Sequence, residues 1–248
     1  MHLTVSPFTA RDGENLASYQ WHREGPQDDL EPQTVYGQLQ PRGIVLIVHG
    51  LGECAERYES VARKLIGWGF LVRSYDQRGH GRSGGDRGAL LAGNDLLDDL
   101  AEMVDEARLH GQPFPTTAGE LDALDAAPKS LPLILLGHSK GGLVASRFVA
   151  LNIRPVDGLV MSSPALDAGL GILQKLTLAL ALRFSPEISV SNGLKVRFLS
   201  RDPQVILDYQ SNRLVHNKIS PRLAQFIALA GPATVAAASQ WHRIYQRE

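Results

Sequence analysis

The apolar run Leu131-Pro-Leu-Ile-Leu-Leu136 leads into Gly137-His138-Ser139-Lys140-Gly141, and a helical pattern follows from Lys140 to Leu151. No other feature of the chain constrains its fold as strongly. An unbroken apolar run of this length suits a strand buried on both faces of a parallel sheet. A tight turn that carries such a strand straight into a helix pushes its apex residue, Ser139, out above the end of the sheet. Gly137 and Gly141, two positions before and after, let neighbouring backbone approach where a Cβ would collide. The helix aims its unpaired N–H groups and positive dipole end at the apex, which favours a developing oxyanion there. G-x-S-x-G in a strand–turn–helix context is the arrangement of a nucleophilic serine. The other reading of Ser139 is a helix-capping serine.

The same alternation extends on both sides. Gly43-Ile-Val-Leu-Ile-Val-His49, Phe70 to Tyr75 and Gly158 to Ser162 read as further strands. Glu53 to Gly67 and Asn94 to His110 have apolar residues at helical spacing between them. Strands alternating with helices predict an α/β fold with a mostly parallel sheet and crossover helices. Leu3 to Ser6 and Leu16 to Arg23 flank the turn Arg11-Asp-Gly-Glu-Asn15 and predict a hairpin. Gly25 to Pro32 reads as a loop, and Gly111 to Ser130 as a connector. After Ser163-Pro164 the pattern turns helical, which predicts an insertion over the sheet. The expected division is a core over 1–164, a helical cap over 165–230 and a return towards the core over 231–248. The stretch Leu170 to Phe184 is interrupted by Lys175 and is shorter than the ~20 residues that span a bilayer. It reads as a cap or buried helix, with a membrane-skimming surface as the alternative.

A second motif, His49-Gly50-Leu51-Gly52, ends the first buried strand. Its Leu51 N–H, with the Lys140 N–H, would form an oxyanion hole. A dinucleotide loop fits poorly, because the third glycine is missing from Gly50-Leu-Gly-Glu-Cys-Ala55. The third motif, Asp76-Gln-Arg-Gly-His-Gly-Arg-Ser83, reads as a loop whose Asp and Arg brace the site through buried hydrogen bonds. A phosphate cradle is its other reading. No G-x-x-x-x-G-K-[ST] sequence is present to support nucleotide hydrolysis.

These runs, together with His49 to Glu59 and Ser162-Ser-Pro-Ala-Leu166, resemble the monoacylglycerol lipase / lysophospholipase branch of the α/β-hydrolase superfamily. The motifs stand in family order over roughly residues 15 to 230. The resemblance implies an eight-stranded sheet, the nucleophile after strand five and a cap inserted after strand six. Arg201-Asp-Pro-Gln204 and Asn212-Arg-Leu-Val-His216 resemble its cap segments. Lys140 stands where the family commonly carries Met, and Cys54 where it often has His. His49, Gly50, Gly137, His138 and Gly141 take the elbow and support positions. The family's triad Asp and His should follow strands seven and eight, but no such segments are found. About two βα units, ~60 residues at ~30 each, are absent relative to the resemblance. The last two strands are therefore expected to be missing, as in a truncated version. His242 and Asp167 are weak substitutes, the latter reading better as a surface-loop residue.

Composition removes other classes. Lys+Arg is 25 against Asp+Glu 26, for a net charge of −1, so nothing favours a nucleic acid partner. The single cysteine, Cys54, excludes a disulfide framework and a cysteine-based zinc cluster. No cofactor or metal pattern is found, and no leader pattern, which predicts a cytoplasmic chain. The functional expectation is a serine hydrolase of carboxylic esters, acylglycerol or lysophospholipid-like, acting through a Ser139 acyl-enzyme. Transient membrane contact through the cap is expected. The alternatives are a catalytically impaired or non-catalytic α/β-hydrolase-like protein, and a non-ester hydrolase such as a peptidase or thioesterase.

Overall fold

The computed structural model describes residues 1–23, 41–110 and 130–241. The expected loop at Gly25 to Pro32, nearly all of the connector at 111–130, and His242 lie outside them.

Six strands form one sheet: β1 (His2–Thr9), β2 (Asn15–His22), β3 (Ile44–Val48), β4 (Leu71–Asp76), β5 (Leu133–His138) and β6 (Gly158–Ser162). Their spatial order is β1-β2-β4-β3-β5-β6. β1 and β2 pair as the expected hairpin, and β2 joins β4 antiparallel. The pairs β3–β4, β3–β5 and β5–β6 are parallel. Four helices accompany this part: α1 (Glu59–Gly67), α2 (Asp95–His110), α3 (Lys140–Ala150) and, later, α6 (Pro221–Ala237). A 3₁₀ turn at Ala55–Tyr58 leads into α1, so the helix predicted from Glu53 starts six residues later.

The unbroken apolar run of β3 follows from burial on both faces. Ile44, Leu46 and Val48 pack in the larger core with α2, α3 and α6. Val45 and Ile47 point the other way, into a smaller core with Trp21, Tyr58, Ala62 and Leu65. Period-2 alternation is absent because neither face is wet.

After β6 come α4 (Ile172–Phe184), β7 (Val190–Ser191), α5 (Pro203–Ser211) and β8 (Lys218–Ile219). The pair β7–β8 forms a two-residue antiparallel ribbon. Sequence pattern missed it, because two residues show no periodicity. Helix α6 is continuous through residue 230, where the cap was expected to end, and its Leu223, Phe226 and Ala230 pack in the larger core. Among the described residues no helix is long and apolar enough to cross a membrane.

Candidate active site around Ser139

Ser139 sits between β5 and α3 with φ 52° and ψ −120°, in the left-handed half of the backbone map. Such a conformation costs a non-glycine residue of order 1–3 kcal/mol and persists only where the surroundings hold it. Here they do. Ser139 N donates to Ser162 O at 3.0 Å, and Ser139 O accepts from Leu143 N and Ala165 N at 3.1 and 3.0 Å. Its side chain makes no capping hydrogen bond, which removes the structural reading of the serine.

The glycines do what their spacing implied. A Cβ on Gly141 would lie 2.0 Å from Val48 O and 2.5 Å from His49 O. One on Gly137 would lie 2.5 Å from Gly141 O. The first turn of α3 therefore rests directly on the exit of β3, where the second motif begins. A Cβ on Gly50 would come within 3.4 Å of His138 Cδ2. His138 Nδ1 in turn lies 3.1 Å from Ser162 O and 3.2 Å from Ser162 Oγ.

The Leu51 loop is held by its neighbours. His49 is fully buried; its Nε2 accepts from Gln77 N at 2.9 Å, so its Nδ1 carries the proton and donates to Gly50 O at 2.8 Å. The Glu53 carboxylate accepts from Gly50 N at 3.1 Å and Tyr58 Oη at 2.8 Å. Gly52 has φ 71°, and a Cβ there would meet His216 O at 2.1 Å. Neither Leu51 N–H nor Lys140 N–H is bonded to another group among the described residues.

The loop after β4 braces this frame. Asp76 accepts from Tyr19 Oη at 2.6 Å and from Ala55 N and Arg82 N, both at 2.7 Å. Arg78 donates through Nε to Asp99 at 2.7 Å and through Nη1 to Asp12 at 2.8 Å. Its charges are thus spent within the protein, against a phosphate cradle.

Two residues of the surroundings could not be placed from sequence. His216, between α5 and β8, donates its N–H to Gly52 O at 3.0 Å. Asn212 Nδ2 lies 3.8 Å from Cys54 Sγ, whose thiol burial pushes up to about 11. Asp167 is exposed and accepts from Gly169 N at 2.8 Å, a surface turn. Among the described residues no imidazole or carboxylate is hydrogen-bonded to Ser139 Oγ.

A sequence model for the family described as serine aminopeptidase, S33, matches residues 39–243. The chain belongs to that family. This S33-family chain is 36% identical over 179 residues to a monoacylglycerol lipase of Mycolicibacterium smegmatis, covering 71% of this chain and 58% of the relative. It is 29% identical over 187 residues to phospholipase YtpA of Bacillus subtilis, covering 73% and 64%. The chain thus spans less than two thirds of these curated relatives. The crystal structure of a Paleococcus ferrophilus monoacylglycerol lipase superposes with TM-score 0.64 at 26% identity, covering 97% of this chain and 74% of that one. A soluble variant of the Saccharomyces cerevisiae monoglyceride lipase has TM-score 0.71 at 19% identity, covering 97% and 71%. The fold is that of the α/β-hydrolases, in their monoacylglycerol lipase-like branch.

Proposed function

We propose that the S33-family chain supplies the nucleophile and oxyanion hole of a serine hydrolase acting on carboxylic esters of lipids. The observation that carries this is Ser139: held at φ 52° on the elbow and free of any capping bond. Ser139 Oγ attacks the ester carbonyl, the Leu51 and Lys140 N–H groups hold the oxyanion, and the alcohol leaves. Water then hydrolyses the acyl-enzyme. A serine hydroxyl needs a general base for this, and in the order usual for this fold the acid and then the histidine follow the nucleophile in the chain.

Acylglycerol or lysophospholipid-like esters are favoured by the apolar cap. An open groove of about 340 Å³ runs between α4 and α6, lined by Leu173, Thr177, Ala181, Val190, Ile219 and Ala224. α4 exposes Ile172 at 81%, Leu173 at 77% and Phe184 at 74%, a surface suited to transient contact with a lipid interface. The names of the relatives, monoacylglycerol lipase and phospholipase, point to the same substrate class. The protein would then be cytoplasmic and approach membranes from that side. The second reading, a catalytically impaired chain, is favoured by the lack of a base bonded to Ser139 among the described residues.

A fluorophosphonate probe separates the two. Covalent labelling that disappears in Ser139→Ala is expected from an activated nucleophile; folded wild-type protein that stays unlabelled overturns it. Turnover of p-nitrophenyl esters that depends on Ser139 would likewise exclude the impaired reading.

A further inference from the structure

Under the elbow lies a buried cluster that acyl transfer, as described, does not use. Lys140 is 1% exposed, and its Nζ lies 3.4 Å from His80 Nε2. His80, also buried, donates its Nδ1–H to Arg78 O at 2.9 Å, which leaves Nε2 as the acceptor for the lysine. The His80 ring centroid is 5.3 Å from that of His49 and 4.6 Å from that of His216. Both neighbours touch the loop that carries the oxyanion donor. His49 Nδ1–H binds Gly50 O, and that carbonyl shares one peptide unit with the Leu51 N–H. His216 N–H binds Gly52 O, the far side of the same loop. The cluster therefore joins the first residue of α3 to both flanks of the Leu51 peptide.

We propose that Lys140 is a positioning residue of the Ser139 site, whose side-chain ammonium, acting through His80 and His49, orients and polarises the Leu51 and Lys140 N–H pair. The proposal rests on the reading of Ser139 as nucleophile. The groups facing the lysine come from every packed element. His80 follows β4, His49 ends β3, and His216 belongs to the cap. Glu53 in the loop after β3 and Asp99 on α2 attract the charge, and that charge in turn disfavours protonation of His49, His80 and His216. Glu53 is engaged with Gly50 and Tyr58, and Asp99 with Arg78. Burial dominates and holds the Lys140 amine down to about 7. The residue is thus poised to gain or lose its charge near neutrality.

The direction of the effect follows. An ammonium about one lysine side chain away from the oxyanion favours negative charge there by about tenfold or more in a medium of intermediate dielectric. That advantage is present below about pH 7 and disappears as the amine loses its proton above it.

Two measurements test this. In the wild-type chain, NMR follows the Lys140 ε-CH₂ signal and the Leu51, Gly52 and Lys140 amides against pH. A lysine midpoint near 7, with the amides moving on the same midpoint, is expected. A midpoint at the ordinary lysine value of about 10.4, or amides that do not follow, overturns the proposal. The second measurement is the rate of fluorophosphonate labelling in wild type and Lys140→Met from pH 5.5 to 9. The ratio of wild type to variant should fall from about tenfold below pH 7 to about one above pH 8. A ratio independent of pH would leave Lys140 a packing residue and sink the idea. If neither protein is labelled at any pH, the nucleophile reading fails instead, and the wild-type titration alone decides on the lysine.

Discussion

The residues around Ser139 trade stability for geometry, and the trade is measurable one side chain at a time. Gly141 has no room for a Cβ, because Val48 O would be 2.0 Å away. Gly141→Ala should therefore push α3 off the exit of β3, costing about 1–3 kcal/mol in urea unfolding and cutting serine labelling. Gly93→Ala, with nothing within 4 Å, serves as a control expected within about 0.5 kcal/mol of wild type. Lys140 carries a different cost. Its amine is held down to about 7 in the fold, so the unfolded chain takes the proton more readily between there and lysine's ordinary value. The penalty is full below pH 7 and fades as pH rises towards about 10.4. Lys140→Met should stabilise the protein by about 1–4 kcal/mol at pH 7 and by much less at pH 10, read as the difference in unfolding midpoints.

At the scale of elements, strong periodic signals were readable and short or context-dependent ones were not. β3 and β5 announced themselves, because strands buried on both faces must be apolar throughout. The elbow was legible because φ 52° at Ser139 demands glycines where backbone closes in, and Gly137 and Gly141 stand there. The ribbon β7–β8 left no trace, since its two-residue strands are specified by tertiary contacts: Ser189 Oγ to Arg87 O at 2.6 Å and Ser220 N to Gly88 O at 2.8 Å. The contact of His216 with Gly52 was equally invisible, being a backbone bond between residues 164 positions apart. Helix α6 is the instructive case. Its apolar pattern suited a cap, yet Leu223 is fully buried in the larger core beside α3. Leu223→Ala should accordingly cost about 2–5 kcal/mol and lower the single unfolding midpoint of the whole molecule. A loss below about 1 kcal/mol would place α6 in a loosely attached cap instead.

At the scale of the whole molecule, the loops after β3 and β4 and the segment before β8 meet at buried His49 and His80 and half-buried His216, and acid should act there first. Burial holds His49 down to about 3, His216 down to about 4, and His80 well below the usual imidazole range. A histidine whose folded pKa is depressed binds protons more readily in the unfolded chain. Stability is then lost as pH falls below about 6.5 and continues to fall until the folded values are reached. At pH 5, about 1.5 units below the unfolded value, His49 and His216 would each cost about 2 kcal/mol, and His80 acts in the same direction. Thermal unfolding should therefore drop by roughly 8–16 °C between pH 7 and pH 5, at about 2–4 °C per kcal/mol for a domain of this size. An unfolding midpoint that stays level over this interval would show that the three rings are not held neutral together. The order of opening is also constrained. The segment between α5 and β8 is tied down at His216 by one backbone bond to Gly52 and a ring contact with His80, whereas β3 and β5 are paired on both sides within the sheet. In hydrogen exchange at pH 5, the amides of residues 212–219 should lose protection before those of β3 and β5. That segment would then come away from Gly52 while the sheet is still intact.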